Sequence, residues 1–410
     1  MPKEQIITGL DIGTCFVRTI VAKIRADQAS PQIIGIGQAP SFGLRHGIVV
    51  DVDDVVKSIT KSIQEAERNS GTSIDRVVFS ISGNHITSKP TKGVIAVSRA
   101  DGEVSKEDVD RVINAASTIP VSQNREIFHT IPRNFSVDNQ SDIKDPVGMN
   151  GVRLEIDALV VEGISPYIKN LYKCISEAGL EKDGMIAVSL AASQAALNKR
   201  QKELGVLALD LGGGTANMAV FEEGNIVHSC VLPVGSSHIT NDIAIGLRGS
   251  IDLAEKVKLE YGSAISSEIN KKEIIDLSKL GLEESGTVLR SDVVKIIEAR
   301  LVETLELVNK ELKNINRQGL LPAGVVLLGG GAKMPGLVDL TKSILKLPAQ
   351  VGFPLEVESV IDEVDDPAFA TAVGLILWNA DKCKNSGNRR KISVGPTVEI
   401  IKKWFKDFSP

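Results

Sequence analysis

The chain has 410 residues, too many for one ordinary core, and its 42% hydrophobic and 24% charged residues are those of a globular protein of two or more domains. Thirty-six glycines against fifteen aromatic residues predict many tight turns and favour an α/β architecture. The formal charge of −5 is uneven: residues 382–410 hold eight Lys/Arg and two Asp/Glu, a net +6 that leaves −11 for residues 1–381, which argues against nucleic acid as partner of the body and for an anionic surface as partner of the tail.

The opening residues "MPKEQIITGL" lack the basic start and apolar run of a signal peptide. The first predicted strand, "IITGLDIGT" (Ile6 to Thr14), ends in Asp-x-Gly-x and leads into a β-like run, "VRTIVAKI". Asp51 to Gly71 reads as an amphipathic helix closed by Gly71, and Arg76 to Gly83 as a buried strand after it. From Asn84 to Glu162 several short strands surround one helix, with Ser105 and Asp108 in capping-box relation, and the position of this segment predicts an insertion into the first lobe. "GVLALDLGGGT" (Gly205 to Thr215) then repeats the opening device, 199 residues on when measured from Asp11 to Asp210. It is again followed by a β-like run, "ANMAVFEEG", turning through "EEGN" into "IVHSCVLPVG". Two copies of one device predict a duplicated lobe.

Between Gly246 and Gly319 the pattern is helical, with Ile297, Leu301, Leu305, Val308, Leu312 and Ile315 on one stripe and Gly319 with Pro322 as the stop. "GVVLLGGGAKMPGL" resumes the α/β pattern, and residues 382–391 read as a flexible linker. No stretch approaches the roughly eighteen apolar residues of a membrane span. The cysteines Cys15, Cys174, Cys230 and Cys383 are far apart, with no C-x-x-C pair and no histidine at metal-ligand spacing, which fits a reduced cytosol.

A strand ending in Asp, then glycine, then Thr offers backbone amides and a hydroxyl to a phosphate chain, while the carboxylate can hold Mg²⁺ directly or through water. Asp11, Gly13 and Thr14 would form one jaw, and Asp210, Gly212, Gly213, Gly214 and Thr215 the other. A tight turn is the plain alternative for either alone; the pairing favours the phosphate. Gly329, Gly330, Gly331 and Ala332 follow an apolar strand where a helix should begin, so that a ring or sugar could lie against bare backbone at a positive helix end. A helix-packing turn is the alternative there. Walker A, G-x-G-x-x-G, G-x-S-x-G and H-E-x-x-H patterns are absent.

In this order and at these separations, "GLDIGT", "LALDLGGGT" and "LLGGGAKMPGL" resemble the actin-like ATPase superfamily, whose nucleotide lies in the cleft between two duplicated lobes. Finer strings are similar to the bacterial cell-division family FtsA: "GLRHGIVVD" from Gly43, "DPVGMNGVRLEIDALVV" from Asp145, "SSHITNDIAIGL" from Ser236, "LAEKVKLEYGSA" from Leu253, "IIEAR" from Ile296 and "DPAFATAVGLI" from Asp366. The resemblance implies an α/β bilobed actin-like fold of duplicated ribonuclease-H-like lobes. Residues 1–83, completed by 163–200 and 361–381, would form lobe I, and 201–245, completed by 320–360, lobe II. Residues 84–162 would be an inserted FtsA-type α+β subdomain, 246–319 a helical subdomain, 382–393 a linker and 394–410 an amphipathic helix.

The resemblance also implies ATP and Mg²⁺ as cofactors. Asp11 and Asp210 would organise Mg²⁺ through water, with Thr14, Thr215, the glycine amides and Cys15, where the family commonly has serine, on the phosphates. Gly329 to Ala332 would be the adenosine loop, and Glu255 and Lys258, which match A-E-x-x-K, would face ribose and base; by spacing alone they are a helix surface pair. Gln194 in "LAASQAAL" would orient the attacking water, in what is at most a weak Mg-dependent ATPase whose main role is structural. Arg300 in "VVKIIEAR" would receive the acidic C-terminal peptide of FtsZ, with an internal ion pair or a solvated helix face as alternatives. Further implied partners are the chain itself, in filaments built by heterologous contact, and later division proteins at the insertion.

In the terminal "VEIIKKWFKDF", Val398, Ile400, Ile401, Trp404, Phe405 and Phe408 fall on one side of a helical wheel, and Lys402, Lys403 and Lys406 on the other. At about 1.5 Å per residue this helix is too short to cross a bilayer of about 30 Å. Its aromatic anchors and lysine face predict that it lies in the headgroup plane of anionic lipid, with docking on its own protein or a partner helix as the alternative; the resemblance implies that this lipid is the cytoplasmic face of the bacterial membrane at the division site. Two alternatives have the same superfold: a pilus-assembly adaptor that binds an inner-membrane protein's cytoplasmic peptide, and a sugar kinase, for which no acceptor motif stands out.

Overall fold

The computed structural model describes residues 4–25, 30–280, 286–359, 361–386 and 399–400. In the first lobe the strand Gln5–Ile12 pairs antiparallel with Phe16–Ile24 across the Gly13 turn, which sets Asp11 opposite Arg18. It pairs parallel on its other side with Arg76–Ile81. Gln32–Pro40, Glu181–Ala187 and Glu358–Ser359 complete six strands. The second lobe repeats this arrangement. Val206–Leu211 pairs antiparallel with Ala216–Glu222, Asp210 facing Asn217, and parallel with Gly324–Leu328. The two Asp-bearing strands thus occupy equivalent central positions, as the internal echo predicts. The turn "EEGN" is a tight hairpin in which Glu223 and Gly224 both take positive φ, the geometry that matches strand twist.

The helix Val52–Ser70 starts on Asp51, whose carboxylate accepts the Asp54 amide, and ends on left-handed Gly71. The helix Lys106–Ser117 carries the reciprocal Ser105/Asp108 capping box. Ile297, Leu301, Leu305, Val308 and Leu312 are the buried stripe of Arg290–Asn314. This helix stops before the expected Gly319, because Asn316 takes the left-handed conformation just past Ile315.

Three apolar cores result. One joins the first lobe to the inner face of the second lobe's sheet, one fills the second lobe, and one lies in the inserted segment beneath Lys106–Ser117. Two helices form the floor between the lobes: Ala370–Ser386 lies on Gln5–Ile12, and Val188–Ala196 on Val206–Leu211. They cross at Gly374, where a Cβ would collide with the Ala191 carbonyl, so that backbone meets backbone.

The inserted segment enters the chain between elements of the first lobe, but in space its sheet joins the second. Its strands Thr87–Ala96, Arg153–Ile164 and Arg125–Val137 extend the second lobe's sheet beyond Asn225–Leu232 to ten strands in all among the described residues. The seam is the pair Cys230 with Thr87, reinforced by the Ser88 hydroxyl, which donates to the Ser229 carbonyl (2.7 Å) and accepts from the Ser229 amide (2.9 Å).

Two expectations about the C-terminal region are corrected. Residues 382–386, expected in the linker, continue the helix Ala370–Ser386, because no helix breaker occurs before Gly387. Glu399–Ile400, expected in the amphipathic helix, form a two-residue strand parallel to His129–Thr130. There their backbone groups find partners on the outer edge of the inserted sheet. The other residues expected at the membrane, Val398, Ile401, Lys402, Lys403, Trp404, Phe405 and Phe408, lie outside the described residues. Among the described residues no helix is long and apolar enough to cross a membrane.

Candidate functional site

The ends of the two equivalent strands face each other across a cleft of about 1180 Å³, lined by Asp11, Gly13, Thr14, Cys15, Asp210, Gly212, Gly213, Thr215, Glu255, Lys258, Gly329, Gly330 and Gly331 together with residues that the sequence reading did not name. The turns follow one local logic: Gly13 N–H donates to the Phe16 carbonyl (3.1 Å), and Gly212 N–H to the Thr215 carbonyl (2.9 Å). Each turn is closed by its own hairpin, and its remaining polar groups are free to face the opposite lobe.

The carboxylates are buried, each with only 7% of the residue exposed. Asp11 accepts a hydrogen bond from Ser80 Oγ (2.7 Å) and Asp210 from Asn217 Nδ2 (3.0 Å). Burial raises the Asp11 carboxyl above its usual range despite the opposing Arg18 charge and the Ser80 hydrogen bond. Asp210 is pushed up to about 7, first by burial and then by the negative charge of Asp11, against the pull of Asn217 and Arg18. Two buried carboxylates that feel the charge of one guanidinium, Arg18, are short of positive charge, so this donor set fits a hard divalent cation.

Several contacts hold the lobes together. Ser82 Oγ meets Thr215 Oγ1 (3.1 Å) and donates to Asn217 Oδ1 (2.7 Å), and Cys15 Sγ lies 3.3 Å from Ser237 Oγ. His46 Nδ1 lies 3.2 Å from the Gly214 carbonyl, and its ring stacks on His238. A Cβ on Gly213 would strike the Cys15 sulfur, and one on Gly214 would come 2.7 Å from Thr14 Oγ1. The two turns touch here, and only glycine permits the approach.

On the second lobe's side of the cleft, Lys258 Nζ binds Glu255 Oε2 (2.6 Å) and Thr240 Oγ1 (2.9 Å), with only 8% of the lysine side chain exposed. The lysine is therefore fixed at the cleft wall rather than freely solvated, while Glu255 stays partly exposed. Gly329 takes a positive φ, and a Cβ there would come 2.6 Å from Asp210 Oδ1, whereas Gly330 faces open space. Only a 3-10 turn, Gly330–Lys333, follows; the α-helix begins later, at Leu337. The expected helix dipole at this loop is replaced by bare backbone.

Three residues expected at the cleft do not line it, and Arg300, expected at a peptide site, makes the internal ion pairs that were its alternative. Gln194 does not line the cleft: its carboxamide accepts from Lys202 Nζ (3.4 Å), because the register of Val188–Ala196 turns position 194 away from the gap. Gly214 packs behind the cleft wall on Thr14 and His46, and Ala332 is buried in the second lobe's core. Arg300 is held internally, with Nε and Nη2 on the Asp242 carboxylate (2.6 and 3.0 Å) and Nη1 on Glu303 (2.6 Å). The residues that reading missed include Arg18, Ser80 and Asn217. Strand alternation was the available signal for Asn217, which stands two residues after Thr215 and faces the same way.

Duplicated sheets with paired Asp turns across a cleft define the actin-like fold. Solved structures share it: the PilM–PilN type IV pilus biogenesis complex (TM-score 0.65, 19% identity, 90% of this chain and 97% of that one) and MreB5 of Spiroplasma citri bound to ADP (TM-score 0.54, 15% identity, 94% and 99%). Within that class, the family model "Cell division protein FtsA" matches residues 207–374, and "SHS2 domain inserted in FTSA" matches residues 83–162. The cell division protein FtsA of Bacillus subtilis is 38% identical over 98% of this chain and 89% of its own, and that of Pseudomonas aeruginosa 35% identical over 98% and 97%. The chain belongs to the FtsA family of cell-division proteins.

Proposed function

We propose that the chain binds ATP with Mg²⁺ in the interlobe cleft, polymerises, and anchors the FtsZ ring to the cytoplasmic face of the membrane while recruiting later division proteins. The observation that carries the nucleotide part is the convergence on one cleft of Asp11, Asp210, the Glu255–Lys258 pair and the open Gly329–Gly331 loop. Asp11 and Asp210 would hold Mg²⁺ through its waters, and the ion, when bound, neutralises phosphate charge. Thr14, Cys15 and Thr215 with the glycine amides would orient the phosphates, and Lys258 and Glu255 the sugar and base. Gln194, expected to orient the attacking water, does not line the cleft, so the reading rests on binding rather than turnover. Support for a pilus-type adaptor is fold likeness alone, while the sequence relatives named above are cell-division proteins.

Membrane attachment rests on the basic excess and aromatic anchors of the last residues. One short anchor binds weakly, and a filament presenting many of them gains by avidity. Co-sedimentation with anionic liposomes in ATP and Mg²⁺ tests it: the intact chain is expected to pellet, and Trp404→Glu/Phe405→Glu to stay in solution. Equal behaviour of the two would sink the tether.

A further inference from the structure

Outside the cleft, the second lobe brings together an imidazole, a thiol and a carboxylate that the family reading does not use. His228 and Cys230 stand two apart on Asn225–Leu232 and so project from the same face of the strand. Glu311 reaches them from the last turns of the helix Arg290–Asn314, and the candidate ligand atoms all lie within 4.8 Å of one another. Among the described residues His228 Nε2 is buried without a hydrogen-bond partner, because Glu311 Oε2, at 3.8 Å, is beyond hydrogen-bond reach. Among the described residues the hydrogen-bonding neighbour of Cys230 Sγ is the Met218 sulfur, at 3.8 Å. Three donors thus converge without satisfying one another.

We propose that His228, Cys230 and Glu311 form a site for a borderline-soft divalent cation of the Zn²⁺ class. Mixed sulfur, nitrogen and oxygen ligation suits Zn²⁺ and disfavours Mg²⁺ or Ca²⁺, which take oxygen. Charge points the same way: a thiolate and a carboxylate balance a 2+ ion beside a neutral imidazole, leaving this half-buried pocket without net charge. Metal–ligand distances of about 2.0–2.3 Å require the donors to draw together by roughly 1 Å. Glu311, with 27% of its side chain exposed at the helix surface, is placed to swing inward, and solvent can supply the fourth position from that side.

On binding, the Cys230 S–H bond breaks, the S–Zn bond forms and the proton leaves to solvent, with no change of oxidation state. Without metal the thiol is pushed up to about 12 by burial and by the Glu311 charge, and burial lowers the His228 imidazole below its ordinary value. Both groups therefore stay neutral in the metal-free protein. A bound ion would clip the end of the long helix to the strand whose Cys230 pairs with Thr87 of the inserted segment.

The test is titration of the reduced full chain with Co²⁺, a spectroscopic stand-in for Zn²⁺, in excess Mg²⁺ so that the Asp11/Asp210 cleft does not compete. A near-ultraviolet thiolate-to-cobalt band saturating at a single equivalent is expected. It should vanish in Cys230→Ser, persist in Cys15→Ser and Cys383→Ser, and need at least about tenfold more Co²⁺ in Glu311→Gln. Absence of the band, or its survival in Cys230→Ser, overturns the site. Should Cys230→Ser prove misfolded by circular dichroism, Zn²⁺ protection of Cys230 against alkylation, located by mass spectrometry in the unaltered chain, decides instead: protection supports the site and unchanged labelling rejects it.

Discussion

At the scale of single residues, Asp210 sets function against stability. Its carboxyl is raised to about 7 because the fold buries it beside Asp11, and the charge deficit that suits it to a cation makes it costly in the empty protein. Asp210→Asn is therefore expected to keep or raise the melting temperature while weakening Mg·ATP roughly 10- to 100-fold, the worth of one charge-assisted contact. Thermal unfolding and a fluorescent-nucleotide titration read the two effects separately; unchanged affinity would remove Asp210 from the site. Arg300 presents the opposite case, a charge already satisfied. If Arg300 receives the FtsZ peptide, a peptide carboxylate would have to compete with Asp242 and Glu303, so Asp242→Asn should tighten binding of that peptide and Arg300→Ala weaken it. If neither variant changes the affinity measured by fluorescence anisotropy, the peptide binds elsewhere. The Asp turns were legible in sequence because turn chemistry is local. The Asp242 partner, 58 positions from Arg300, was not, nor was the carboxylate of Glu311 beside His228 and Cys230.

Secondary elements were legible where their ends carry chemical signals, as in Asp51 and Gly71 or the Ser105/Asp108 box. Their mutual orientation was not, and Gln194 shows the consequence: the helix was found, but the direction in which position 194 points depends on how Val188–Ala196 lies on its sheet. The crossing at Gly374 is equally silent in sequence. Gly374→Val would force the two floor helices apart and is expected to cost on the order of 1–3 kcal/mol or more, as overpacking does. A lower denaturant midpoint checks it, and an unchanged one would show that the crossing can relax.

For the whole molecule, acid should loosen the join between the inserted segment and the lobes. His129 is fully buried, its Nε2 accepting the Ala187 amide (3.2 Å), and burial lowers its pKa to about 3; His85, whose Nδ1 accepts the Ile164 amide, is lowered to about 4. Both stay neutral in the fold, whereas the unfolded chain takes up protons below about 6.5. Stability is therefore fully present above that pH and falls on acidification toward pH 4 and below, with a slope of about 1.4 kcal/mol per pH unit for His129 alone. Denaturation at pH 7 and pH 5 should show the loss, and His129→Gln should reduce it; a flat profile would contradict the burial.

The order of the lobes was legible from the echo of Asp11 in Asp210, but the attachment of the insertion to the second sheet was not, since it depends on a seam at Thr87 and Cys230 that no local pattern announces. The bare crossing of Gly374 and Ala191 has a mechanical consequence at this scale. One helix lies on each lobe's sheet, and at Gly374 the two backbones meet with no side chain between them. So close an approach would hold the two floors at one separation there, so that any turning of the lobes about it would displace the mouth of the cleft more than its base.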